Sequence, residues 1–210
     1  MHHDHPHASR TEEDLALKLD LEAELFASYL NQLAALIADA AEPRPRTVLD
    51  LGAGTGAGSL VLAHRFSRAT VVAVDTSEVL LERLRVKAVE QRVEGRVHTV
   101  HADLDVSWPD GEPFDLIVAL SSMHHFAQPQ AVLARALRAL SPTGLFVLAE
   151  PDGPVHQAQI ENGWGKHLDW GAALDNAGFA SVRHERILTP RSAHRAWLAR
   201  PSLPMNGGSR

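Results

Sequence analysis

The sequence predicts an α/β protein: an open sheet with helices on both faces, preceded by helices and ending in an antiparallel pair of strands. Three observations predict it. From Thr47 onward, short apolar runs bounded by turn residues alternate with helix-like segments. Runs such as "TVVAVD" and "FDLIVAL" are apolar on both faces, as parallel strands covered by helices on each side must be. Near residue 190, "ASVRHERIL" and "AHRAWLA" are separated only by "TPRS", too short for a crossover helix, so these strands pair antiparallel.

The elements follow in order. Thr11-Glu-Glu-Asp14 has the form of a capping box ahead of a pattern in which Leu21, Leu25, Phe26, Tyr29, Leu30, Leu33, Leu36 and Ile37 recur at spacings of three and four, so one or two amphipathic helices come first. Pro43 and Pro45 stop them. Strands are expected at 47–51, 70–75, 97–101, 114–121 and 144–150, and helices at about 57–66, 78–92 and 129–140. The link "DLDVSWPDGEP" is too short and proline-rich for a full helix. A last helix at about 165–177 stops before Gly178, and the hairpin follows.

Composition bounds the rest. A chain of 210 residues, 45% hydrophobic and 22% charged, buries one sizeable core and is too short for two ordinary domains. We divide it into a His-rich terminus at 1–10, a helical cap at 11–42, the sheet domain at 43–200 and a tail at 201–210. A net charge of -6 and no stripe of Lys and Arg disfavour nucleic acid and favour small substrates. The absence of cysteine excludes disulfides and thiolate chemistry and agrees with a reducing compartment. No run approaches the ~18 apolar residues of a membrane span, and the polar start lacks the apolar core of a signal peptide, so the expectation is a cytoplasmic protein with no membrane partner. His2, His3, His5 and His7 are read as a polar terminus, and no metal site is assigned.

The chemistry begins at "VLDLGAGTGAGS", residues 48–59. Gly52, Gly54 and Gly56 lie between a buried strand and a helix, where the lack of a Cβ lets the backbone turn tightly and approach a ligand. The helix N-terminus beyond them suits a carboxylate or a phosphate. Asp75 ends the second strand, placed either to accept hydrogen bonds from ribose hydroxyls or, with Thr76 and Ser77, to cap the next helix. These two elements imply a nucleoside, and they fit NAD as well as other ligands.

Further motifs, "HADLD", "FDLIVALSSMHHF" and "SPTGLFVLAEP", complete an ordered series that resembles the class I S-adenosylmethionine-dependent methyltransferases over residues 46–200. The resemblance implies a Rossmann-like seven-stranded sheet whose last strand is antiparallel. It implies S-adenosylmethionine as cofactor, with S-adenosylhomocysteine as product. Gly52, Ala53, Gly54 and Gly56 would wrap the methionine part, with Asp50 behind them organising the loop. Asp75 would hold the ribose, Thr76 would pack beside the adenine, Asp103 and the N–H of Leu104 would bind the ring, and the Leu120 carbonyl would meet the ammonium group.

On that resemblance the reaction is methyl transfer to a small-molecule acceptor by in-line displacement. It depends on positioning and exclusion of water, and needs a general base only where the acceptor must lose a proton. The candidates for such a base are His124, His125 and Glu150, with His156 as a further one; Asp115, which begins its strand, is read as structural. The acceptor would be contacted by Phe26, Tyr29, His125, His156 and Trp164, with Trp170 nearby. Ser121-Ser122-Met123-His124 stands where nucleic-acid amino-methyltransferases have Asp/Asn-Pro-Pro-aromatic, which sets those aside. The chain lacks the long insertions of many resembling enzymes. That leaves the site open, completed by a second subunit in a homodimer, or reduced to a non-catalytic binding module. A nicotinamide-dependent oxidoreductase accounts for the first two motifs but not for Asp103 or the hairpin.

Overall fold

A computed structural model describes residues 11–109, 111, 113–152 and 168–202. Helices α1 (Glu12–Leu25) and α2 (Ala27–Ala40) precede the sheet. Thr11 caps α1 through a reciprocal capping box with Asp14. Phe26, with φ -102° and ψ 12°, breaks the periodic pattern in two. The halves behave differently. Helix α2 buries Tyr29, Leu33, Ala34, Ile37 and Ala38 on one face, whereas α1 buries only Ala16. Leu21 and Leu25, expected on the buried stripe, are exposed, at 58% and 42%. Spacing alone could not reveal that α1 has little sheet beneath it. It is held instead by Asp20, whose carboxylate accepts from Arg83 and Lys87 at 2.7 Å each.

The strands are β1 (Thr47–Leu51), β2 (Thr70–Asp75), β3 (Val97–His101), β4 (Phe114–Leu120), β5 (Leu140–Pro151), β6 (Ser181–Leu188) and β7 (Ala193–Arg200). Between them run α3 (Ala57–Arg65), α4 (Glu78–Glu90), α5 (Pro129–Ala139) and α6 (Trp170–Ala177). The strand order is β3-β2-β1-β4-β5-β7-β6. All pairs from β3 to β5 are parallel, and β7 is antiparallel to both β5 and β6. Strand β5 starts at Leu140 rather than 144, because α5 runs directly into it; a register shift against β4 between Phe114 and Leu116 takes up the difference. Residues 153–167, where the last predicted helix was to begin, lie outside the described residues, and α6 starts at Trp170.

One apolar core lies between the sheet and α2, α3 and α4, around Ile37, Leu62 and Leu84. The other lies beneath α5 and α6, around Phe146, Leu133 and Leu174. Trp170, expected near the acceptor, is 6% exposed and belongs to this second core. Arg200, at the end of β7, ties the last turn of α2 to the start of β5 by donating to the Ala40 and Thr143 carbonyls, both at 2.6 Å. The strand order reverses direction between β1 and β4. There the loops at the carboxyl ends of neighbouring strands part, and open parallel sheets bind ligands in that crevice.

Candidate active site

The loop after β1 holds three glycines in the left-handed region, at φ 72°, 56° and 84° for Gly52, Gly54 and Gly56. Gly52 and Ala53 both donate to the Val74 carbonyl at 2.9 Å, which pins the loop to the end of β2. A Cβ at Gly52 would lie 2.7 Å from the Ser122 Cβ, and one at Gly56 would lie 2.0 Å from Leu84 Cδ1. Packing excludes both. At Gly54 a Cβ would meet Leu19 Cδ1 at an ordinary 3.5 Å, so backbone conformation rather than crowding requires glycine there.

Asp75 is half-buried, and its two oxygens accept from the Gly54 N–H at 2.8 Å and the Ser77 N–H at 3.0 Å. The helix cap is Ser77, whose hydroxyl accepts from Leu80, so capping does not account for the Asp75 side chain. A carboxylate offers about four lone-pair sites, and these bonds use one on each oxygen. Two remain to accept further hydrogen bonds. Asp103 is exposed and accepts from the Asp105 N–H; Leu104 is buried, and its carbonyl accepts from Arg135. Thr76 is exposed, and its carbonyl accepts from His101 Nε2 at 2.9 Å. The glycine loop, the Asp75 carboxylate and the exposed Thr76 and Asp103 thus lie in succession at the carboxyl ends of β1, β2 and β3.

Asp50 lies beneath this cradle, 2% exposed, and accepts from the Ser59 hydroxyl at 2.6 Å, which fastens β1 to the first turn of α3. Burial lifts its carboxyl to about 6 from an ordinary 3.8; the Ser59 hydroxyl opposes the rise and the Asp75 charge adds to it. A carboxyl raised in the folded state contributes stability that is full below pH ~4 and is lost as pH rises through ~6. Asp50→Asn keeps an acceptor for Ser59 without the buried charge. Its unfolding free energy at pH ~7 should therefore exceed that of the native protein, by up to ~3 kcal/mol. Denaturant titrations at pH ~4 should show no such gain, and the same gain at both pH values would refute the assignment.

The loop after β4 is stitched to the first one. Ser121 takes φ 53°, a left-handed conformation uncommon for a residue with a Cβ, and Ser122 donates to the Leu51 carbonyl at 2.6 Å. A 3-10 turn over Met123–His125 follows. Glu150, near the end of β5 and 2% exposed, accepts from the Met123 N–H at 2.9 Å and pairs with His124 Nδ1 at 2.6 Å. An ionised carboxylate only accepts, so Nδ1 carries the proton, and in the neutral ring Nε2 is the basic nitrogen. The histidine pair divides its duties: His124 is 7% exposed and locked by Glu150, while the ring of exposed His125 lies 3.9 Å from it.

On the other side of β5, Tyr29 stacks on His194 at 3.6 Å, and Phe26 meets the same imidazole edge-on at 5.9 Å. His194 is a buried residue that the sequence reading overlooked; alternation in "AHRAWLA" puts it inward beside Ala196, and that was the available signal. The side chain of Leu120 would crowd a Cβ at Gly58 of α3, at 2.7 Å. Asp115 is structural: it accepts from the N–H groups of Arg46 and Thr47 at the start of β1. His156, Trp164 and the N-terminal histidines lie outside the described residues.

Residues 48–144 match the family described as a methyltransferase domain. The match covers somewhat less than half of the 210-residue chain. The chain is similar to a trans-aconitate 2-methyltransferase of Acidovorax sp. (strain JS42), 33% identical over 129 residues, covering 60% of the chain and 47% of the relative. The chain therefore spans about half the length of the curated relative. Among solved structures, a putative O-methyltransferase from Nostoc punctiforme PCC 73102 superposes with a TM-score of 0.70 at 22% identity, over 83% of the chain and 56% of that protein. The N-terminal domain of EvdMO1 with SAH bound superposes with a TM-score of 0.62 at 20% identity, over 82% of the chain and 81% of that one. At these identities the two structures speak to fold. They share the Rossmann-like fold of this chain. Among the described residues, no helix is long and apolar enough to cross a membrane.

Proposed function

We propose that the protein is an S-adenosylmethionine-dependent methyltransferase for a small molecule, in which His124, held by Glu150, takes the proton that the acceptor atom releases. The observation that carries this reading is the buried His124–Glu150 pair at the carboxyl ends of β4 and β5, beside the glycine cradle of β1. When bound, S-adenosylmethionine supplies an electrophilic methyl group on a positively charged sulfur. The backbone of Gly52, Ala53, Gly54 and Gly56 would hold its methionine end, Asp75 its ribose, and Thr76, Asp103 and Leu104 its adenine. The Leu120 carbonyl would meet its ammonium group, and the α3 N-terminus its carboxylate. Tyr29 and Phe26 would flank the acceptor, with His125 at the rim. Holding donor and acceptor in near-attack geometry supplies most of the acceleration. A base at His124 adds a further factor of ~10²–10⁴ for acceptors that lose a proton.

The test is calorimetry with S-adenosylhomocysteine and with NAD, then turnover of labelled S-adenosylmethionine against small acceptors beginning with trans-aconitate. Binding of NAD but not of the sulfur nucleoside would overturn the reading. Turnover of trans-aconitate, whose carboxylates have no proton to lose at neutral pH, would keep the transfer and remove His124 from it. Asp75→Ala should weaken S-adenosylhomocysteine about ten- to a hundredfold, a loss of ~1.4–2.8 kcal/mol. An unchanged affinity would exclude Asp75 from the cofactor site.

A further inference from the structure

Helix α1 reaches over the glycine loop, although no apolar core holds it there. A Cβ at Gly54 would lie 3.5 Å from Leu19 Cδ1, and Gly54 itself donates to Asp75, so α1 rests where the loop meets the end of β2. Yet α1 buries only Ala16, and its Leu17, Leu21 and Leu25 are 62%, 58% and 42% exposed. Helix α2 is the opposite case, with Tyr29, Leu33 and Ile37 in the core. The two helices meet at a single residue. Phe26 ends α1 and begins α2, at φ -102° and ψ 12°. One non-helical residue between an anchored helix and an unanchored one is a hinge position, able to absorb a rotation of α1 in its own dihedrals.

What fixes α1 is charge. The Asp20 carboxylate, 18% exposed, accepts from Arg83 Nε on one oxygen and from Lys87 Nζ on the other, both at 2.7 Å. Such charge-assisted bonds are roughly twice as strong as neutral ones. Arg83 and Lys87 stand one turn apart on α4, the helix whose Leu84 packs against Gly56. Helix α4 therefore supports the glycine loop through Leu84 and holds α1 over it through Arg83 and Lys87. Burial tends to raise the Asp20 carboxyl, but Lys87, Arg83 and the Thr55 hydroxyl of the loop hold it below its usual range, so it is ionised at neutral pH. We propose that Asp20 is the latch of a strap: α1 swings about Phe26, and the Asp20–Arg83–Lys87 cluster holds it closed over the glycine loop, setting how fast a nucleoside leaves. A latch of this kind opens locally while the sheet stays folded, and salt weakens it. The latch follows from the ion pairs and the hinge; only its effect on release rests on the cofactor site proposed above.

Hydrogen exchange tests the latch without a ligand. Backbone amides of Glu12–Leu25 should exchange faster than those of Ala27–Ala40 in the native protein and faster still in Asp20→Asn, while the α2 amides are unmoved by the substitution. One common rate for both helices overturns the inference. Should the variant fail to fold, potassium chloride added to the native protein decides: exchange should quicken in α1 relative to α2, and a ratio indifferent to salt overturns it. Stopped-flow displacement of S-adenosylhomocysteine reads the consequence. Release from Asp20→Asn should be about ten- to a hundredfold faster, as expected for losing a hydrogen bond to a charged group. Salt should speed release from the native protein and not from the variant, and Asp20→Glu, which keeps the charge, should restore most of the slow release. A merely structural Asp20 would lower the unfolding midpoint with release unchanged, and that result overturns the latch. Failure of S-adenosylhomocysteine to bind the native protein would remove the methyltransferase reading and leave the latch to stand or fall on the exchange rates.

Discussion

Glu150→Ala should destabilise the protein by roughly 1–3 kcal/mol for each of the two buried donors it leaves unpaired. The substitution strands the Met123 N–H and the His124 Nδ1–H in an interior from which water is excluded, and it opens a void beside β4. A fall in the denaturant midpoint without a change in slope is the signature to seek. Glu150→Gln is the sharper probe. Its amide oxygen can still accept from Met123, but its NH₂ then faces His124 and donates to Nδ1. That forces the proton onto Nε2 and removes the nitrogen lone pair from the acceptor side. Methyl transfer to a proton-bearing acceptor should fall about 10²–10⁴-fold, while S-adenosylhomocysteine binding is unchanged. Equal turnover by the Gln variant would show that His124 takes no proton.

Gly56→Ala should be the most damaging change in the loop. Its Cβ would sit 2.0 Å from Leu84 Cδ1, and Leu84 is fully buried between α4 and the sheet. The side chain cannot step aside without repacking that core, which typically costs ~1–3 kcal/mol. The left-handed backbone at φ 84° adds ~1–2 kcal/mol for any residue with a Cβ. A loss of ~2–5 kcal/mol follows from the two together. Gly54→Ala faces only the conformational term, because its nearest neighbour is at van der Waals distance. Thermal unfolding should therefore rank Gly56→Ala well below Gly54→Ala. Comparable midpoints would mean that Leu84 moves freely.

Much of the fold was legible because its signals are local. The first two strands begin and end where the apolar runs do, since both of their faces are covered, whereas the edge strand β3 exposes His98 and His101 and is bounded by the turns on either side of it. The antiparallel ending was legible from loop length alone. The boundary at Leu140 was not, because a helix that passes straight into a strand leaves no turn residue to mark it. Nor was the exposure of Leu17 and Leu21, which depends on what lies under α1 and not on their spacing. At the site, the glycines and Asp75 were readable because a loop between a strand and a helix restricts which residues can stand there. The pairing of Glu150 with His124 joins residues 26 apart in the chain, and the stack of Tyr29 on His194 joins residues from opposite ends of it. No periodicity records such meetings; they follow from which strand lies beside which.

The place of β7 between β5 and β6 has a consequence for how the molecule is made. A ribosome releases the chain in order, and five parallel strands can assemble before β7 exists. Until Ala193–Arg200 emerge, one flank of β5, with Phe146, Val147 and Leu148, is an unpaired apolar edge. Strand β6 cannot close it, because β6 reaches the sheet only through β7. Its own outer row carries Arg183, His184, Glu185 and Arg186, charges that discourage a stranger from adding on. The nascent protein is thus adhesive for the time needed to synthesise some fifty residues, from 151 to 200, and the finished one ends its sheet in a charged, unreceptive border.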